Sequence, residues 1–123
     1  MNEKEMARIL GLIRTGFGVV GFLAPTKTIR GWIGREAKPY PTNMIMRGFA
    51  ARDAAIGIGL LAALENDGPV RGWLEASALS DLGDAIATVG SWKDLPGFRR
   101  LLLLAGEAGA AALAMQLAAQ LDD

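Results

Sequence analysis

Apolar residues run along this chain in four long blocks, each closed by polar residues together with proline or glycine. The first block covers about positions 6–24 and stops at Pro25, which cannot continue a helix. The second follows Pro41-Thr42-Asn43, a proline-plus-cap start, and runs to about position 64, before Glu65-Asn66-Asp67-Gly68-Pro69. The third begins after Pro69 and runs to about position 89, near Gly90-Ser91. The fourth follows Leu95-Pro96-Gly97 and runs to about position 121. No block alternates apolar and polar residues as a half-buried strand would, and Ala and Leu dominate, so all four predict helices.

Each block holds about 19–24 residues, the length that crosses a hydrocarbon core of roughly 30 Å. A soluble four-helix bundle would show one apolar stripe and one charged face on every helix. Here there is no charge between Ala54 and Leu64, and between Ala108 and Leu121 only Gln116 and Gln120 are polar. The pattern therefore predicts an all-α fold, an antiparallel four-helix transmembrane bundle forming a single domain over residues 1–123. Residues 28–34 predict a short interfacial segment between helices 1 and 2, with Trp32 at headgroup level. Glu3 and Glu5 ahead of the first block, Arg14 within it and the lack of a small-x-small site at Pro25-Thr26-Lys27 mark it as a retained helix.

Loop charges predict the orientation. One side carries seven basic residues, Lys27, Arg30, Arg35, Lys38, Lys93, Arg99 and Arg100, and the other carries three, Lys4, Arg8 and Arg71. The positive-inside rule then puts both termini on the non-cytoplasmic side of a multi-pass protein of the cell membrane, with the lipid bilayer as its first partner.

Composition narrows the chemistry. The chain is 51% hydrophobic and 21% charged, with Lys+Arg 13 against Asp+Glu 13 and neither Cys nor His. The balanced charge lacks the basic field a nucleic-acid binder needs. Without Cys there are no disulfides, thiolate metal sites or cysteine nucleophiles. Without His there is no Ser-His-Asp chemistry and no ordinary zinc site.

The charges that remain fall inside the apolar blocks. Arg14, Arg52, Asp53, Asp81 and Glu107 lie near the middle of their helices, Arg47 and Asp84 about one turn toward the basic side, and Glu75 shallower toward the other. A charge at the bilayer centre costs roughly 2.5–3.5 kcal/mol on the gentlest scale, so three cations and four anions at matched depth predict mutual pairing inside the bundle. Ser77, Asp81, Asp84 and Thr88 share one helical stripe. Asp53, Gly57 and Leu60 share a face of the second helix, whereas Arg47 and Arg52 lie about 140° apart and cannot meet one partner. Small residues at Gly11, Thr15, Gly18, Gly48, Gly57, Gly59, Gly106 and Ala110 would let helices approach closely. The candidate polar core, or pocket, is Arg14, Arg47, Arg52, Asp53, Asp81, Asp84 and Glu107.

Other motifs have plainer readings. Asp81-Leu82-Gly83-Asp84, with Asp53, has the donors for Mg²⁺, but arginines compete for the same oxygens and no metal is expected. Gly16-x-Gly18-x-x-Gly21 spells a dinucleotide motif, yet no strand precedes it; it predicts helix packing, and no cofactor is expected. Trp73 and Trp92 fit interfacial anchors, and the five Met residues fit packing.

The block Arg47-Gly48-x-x-Ala51-Arg52-Asp53-x-x-x-Gly57-x-Gly59 is followed by Trp73, Asp81 and Asp84 in a W-x7-D-x-x-D spacing. With Gly16, Gly18, Pro25, Trp32-Ile33-Gly34 and Leu95-Pro96-Gly97, it resembles a family of small, uncharacterised four-helix integral membrane proteins common in actinobacteria, with relatives in fungi. The resemblance covers nearly the whole chain. It implies a four-span membrane protein with Arg52, Asp53, Asp81 and Asp84 at its polar centre, and it implies no activity. Two functional classes are expected. The first is a non-enzymatic accessory or assembly subunit, packing as a homo-oligomer or against a larger membrane complex. The alternative is a pocket for a small hydrophobic molecule, an isomerase, cyclase or carrier, with Asp81 or Asp84 as acid–base group and Arg52 or Arg47 as anion partner.

Overall fold

Helix boundaries follow local sequence in the computed structural model, which describes residues 1–32, 34 and 39–121, the side chains of 39–41 excepted. Ile33, Arg35 and Lys38, which entered the motif and the loop charges above, lie outside the described residues. Helix α1 (Glu3–Leu23) opens on a capping box. The Glu5 N–H donates to Asn2 Oδ1 at 2.9 Å and the Asn2 N–H to Glu5 Oε2 at 3.1 Å. Glu3 and Glu5 thus extend the first predicted helix by three residues and complement its positive end.

Pro25, where the first helix was expected to stop, is the first residue of the next. Proline suits that position because its missing N–H has no intrahelical acceptor there. The segment expected at 28–34 overlaps this short helix, α2 (Pro25–Trp32). By the same logic α3 (Pro39–Glu65) takes Pro39 and Pro41 into its first turn rather than starting after them. The turn to α4 (Val70–Gly90) puts Asp67 at φ 51°, and the Gly68 N–H donates to the Ala63 carbonyl at 2.8 Å. A 3₁₀ turn (Trp92–Asp94) and Gly97 at φ 48° lead into α5 (Arg99–Gln120). Among the described residues the chain is all-helical, with no strand.

The four long helices pack as two close pairs, α1 with α3 and α4 with α5, joined by sparser contacts. Glycine makes the first pair close. A Cβ on Gly18 would meet Ala50 O and Ala54 N at 2.5 Å, and one on Gly57 would meet Thr15 and the Gly11 carbonyl. Gly48 and Gly106, expected to act likewise, have nothing within 4 Å. In the dinucleotide-like motif, Gly18 and Gly21 pack against α3 while Gly16 faces open space.

Two apolar clusters form the core, one toward each end. At one end the starts of α1 and α4 meet the ends of α3 and α5 through Ala7, Leu10, Leu60, Leu74, Ala114 and Leu117, so neighbouring helices run antiparallel. At the other, Ile29, Met46 and Ala50 gather Phe17, Trp32 and Phe49. The charges lie between these clusters. Helix α5 joins only the first: its buried residues are Ala114, Leu117 and Ala118, and none falls between 99 and 113. Its first half therefore packs on α4 and stands off from α1 and α3.

The outer surface is apolar. Leu12 and Ile13 on α1, Leu79 and Ile86 on α4, and Leu101 and Leu102 on α5 are all more than half exposed. Two helices, α1 and α5, are long and apolar enough to cross a membrane, with mean hydropathy 1.5 and 1.6. The core helix of a soluble protein would be mostly covered, whereas only 17% of the α5 window is buried. Helices α3 and α4 reach the length and carry more charge.

Candidate functional site

Arg14 is the hub. It projects from the middle of α1, is 6% exposed, and its guanidinium is shared among two other helices. Nη1 donates to Asp53 Oδ1 on α3 at 2.6 Å, and Nη2 pairs with Asp81 Oδ2 on α4. Nε donates to the Ser77 hydroxyl at 2.7 Å and Nη2 to the Ser77 carbonyl at 3.3 Å. A planar fork of donors is what lets one side chain hold four acceptors, and a lysine could not reproduce it.

The chain of ion pairs continues through Arg52. Its Nη2 lies 3.7 Å from Asp53 Oδ1, and the guanidinium grips Asp84 with two bonds, Nη1 to Oδ1 at 3.2 Å and Nη2 to Oδ2 at 2.8 Å. The Phe49 ring, one helical turn before Arg52, sits 4.9 Å below its guanidinium carbon. The order Asp81–Arg14–Asp53–Arg52–Asp84 thus ties α1 to α3 and both to α4. Glu107 brings in α5: the Thr88 hydroxyl lies 3.0 and 2.8 Å from its two carboxyl oxygens and donates to it.

Six of the seven expected residues meet at this level. Arg47 does not. It is exposed, and its Nε donates to the Phe22 carbonyl at 3.2 Å, because it leaves α3 on a different face from Arg52. The balance inside is therefore two cations and four acidic side chains, not three and four. Asp81 and Asp84, considered as a metal pair, each face an arginine instead. Glu75 lies outside the layer and pairs with Arg71 at 2.8 Å.

Beside the layer the standing-off half of α5 leaves two adjoining cavities. The first, about 320 Å³, is lined by Ile29, Trp32, Met46, Phe49, Leu103 and Glu107 among others. The second, about 410 Å³, has Arg14, Asp53, Asp81 and Glu107 on one wall and Phe17, Leu102 and Ala110 on another. Trp32, Asp84, Leu103 and Glu107 line both. Arg99 pins the start of α5 to the end of α2 by donating to the Gly31 carbonyl at 2.8 Å.

Trp32 serves here as a wall of the cleft, set edge-on to Phe17 with ring centroids 5.3 Å apart. Its place in the sequence carried no sign of that. The role of Phe49 was legible in principle, since it stands three residues before Arg52. Trp73, expected as an anchor, packs its ring onto Gly59 and joins the first apolar cluster. Trp92 lies under Arg100 at 4.8 Å.

No protein-family model, curated protein or solved structure matches the chain. The site's own geometry is what bears on its function.

Proposed function

We propose that this chain is a four-span, multi-pass protein of the bacterial inner membrane, with both termini on the non-cytoplasmic side, related to the family its motif resembles. One observation carries the reading: large apolar side chains cover the outside, while six charged ones form a layer inside, between the two apolar clusters. In water that arrangement would expose far more apolar surface than a small monomer tolerates. In lipid it is the stable one, because α3 and α4 hide their charges against each other and α1.

Within that protein the ion-pair chain clamps the two helix pairs, and the cleft beside α5 binds a small hydrophobic molecule. Its size supports this, since small-molecule sites run to roughly 300–1,000 Å³. Asp81 and Asp84 are each held by an arginine, so the acidic side chain most available to a bound molecule is Glu107. No reaction is assigned to it. Assembly as an accessory subunit is a second reading, favoured by the exposed small residues Ala105, Gly109 and Ala112 on α5, where Gly109 has nothing within 4 Å.

Fractionation after alkaline carbonate extraction tests the placement. The protein is expected in the membrane pellet and soluble only with detergent; full recovery in the cytosol would end the reading. Organic extraction and mass spectrometry of the purified protein test the binding role. A small hydrophobic species is expected with the wild type and absent from Leu103→Trp, whose larger ring fills the cleft.

A further inference from the structure

Among the described residues, Glu107 is the only member of the charged layer without an oppositely charged partner. Arg14 is shared by Asp53 and Asp81, and Arg52 holds Asp84 while reaching toward Asp53. With Arg47 outside the layer, acidic side chains outnumber guanidinium groups there by four to two. Glu107 and Asp84 both line the two cavities, but Asp84 is held by Arg52, whereas among the described residues Glu107 has only the Thr88 hydroxyl to satisfy it.

The walls narrow the class of occupant. Among the described residues Arg14 is the only cation that lines either cavity, and its donors are taken by Asp53, Asp81 and Ser77. An anionic ligand would thus meet the unpaired Glu107 carboxyl group and find no free guanidinium. A small metal ion would find too few oxygens, since among the described residues no three acidic side chains converge on an ion-sized site. Trp32 lines the first cavity together with Glu107, as does Phe49, whose ring also carries the Arg52 guanidinium, and aromatic rings sharing a site with a carboxylate are how proteins hold ammonium groups. The rest of that cavity is Ile29, Ile45, Met46 and Leu103, which suits an alkyl or aryl body.

We propose that the cleft between α5 and the α2–α3 corner binds a lipophilic amine or quaternary ammonium compound dissolved in the membrane. Its cationic nitrogen sits between Glu107 and the rings of Trp32 and Phe49, and its apolar body lies along Leu103 and Ile45. This deepens the binding role proposed above by naming the ligand's charge, and it rests on that role. The ammonium also supplies the partner that Glu107 lacks.

The test uses the full chain in zwitterionic nanodiscs, titrated calorimetrically with decyltrimethylammonium, decanol and decyl sulfate, with protein-free nanodiscs subtracted. The wild type is expected to bind decyltrimethylammonium saturably and the other two at least about tenfold more weakly, the order a carboxylate with aromatic walls imposes. Glu107→Gln keeps the shape and can still accept from Thr88. It is expected to weaken the cation about tenfold or more while leaving decanol unchanged. Leu103→Trp is expected to abolish binding of all three. Equal wild-type affinity for the three probes overturns the proposal, and so does a folded Glu107→Gln that binds the cation like the wild type; saturable decanol binding then leaves the wider pocket reading standing. No saturable binding of any probe overturns both. The three-probe comparison in the wild type needs no variant, so it decides the matter even where Glu107→Gln does not fold.

Discussion

At the scale of single residues, Arg14 carries the most. It is buried, and removing it strands Asp81 without a guanidinium, leaves Asp53 only Arg52 at 3.7 Å and frees the Ser77 acceptors. Breaking a buried pair from one side costs ~3–5 kcal/mol, because the remaining charge stays in a poor solvent. Arg14→Met is expected to lose stability by that order in a detergent-unfolding titration. Arg14→Lys should recover only part of it, keeping the charge without the fork. Arg47→Ala is the contrasting case: its side chain is exposed and bonded to one carbonyl, so its effect should stay within about 0.5 kcal/mol. If the two variants proved equally destabilised, the described layer would not be what holds the helices. Sequence alone ranked Arg47 with Arg52, because both sit within a charged block on one apolar helix. Their separation by about 140° showed that they differ, but not which one faces inward.

At the scale of elements, each long helix divides into a face turned to its neighbours and a face turned out. Helix α4 shows this most plainly: Ser77, Asp81 and Thr88 are buried while Leu79, Leu82 and Ile86 are half exposed or more. On the proposed placement those three side chains meet lipid, so the triple change Leu79→Gln, Leu82→Gln, Ile86→Gln should move the protein out of the carbonate-resistant pellet. In a soluble protein the same outward change would leave the fold intact and raise solubility, so unchanged fractionation would count against the placement. The polar stripe of α4 was legible because 3.6-residue periodicity links positions four, three and four apart. The stance of α5 was not. Its first half holds Arg99, Arg100, four leucines and Glu107 and its second half is rich in alanine, and neither pattern says which half joins the core.

At the scale of the whole molecule, the two helix pairs, the apolar clusters at either end and the charged layer between them form one up-and-down arrangement. Its termini and the α3–α4 turn lie at one end, and the α2 corner and the 3₁₀ turn at the other. The lack of cysteine makes the proposed orientation simple to check by single-cysteine labelling in intact spheroplasts. Asn66→Cys should react with a membrane-impermeant maleimide from outside, and Lys93→Cys only after the membrane is opened. The reverse result would invert the topology, and equal labelling of both in sealed cells would oppose a spanning arrangement altogether.

What the sequence determined by itself is the set of helices and the depth of the charges. Both depend on local order: block length, capping and proline set the helices, and counting inward along each helix sets the depth. The all-helical architecture and the stripe on α4 follow from the same kind of information. Only the tertiary structure decided which charges meet, that Arg47 stays outside, and that Trp32 walls a cleft with Glu107 on its edge. Those outcomes depend on how each helix is rotated about its axis and how closely it approaches its neighbours. Gly18 and Gly57 set that approach for α1 and α3, while no feature of comparable strength in the first half of α5 draws it in.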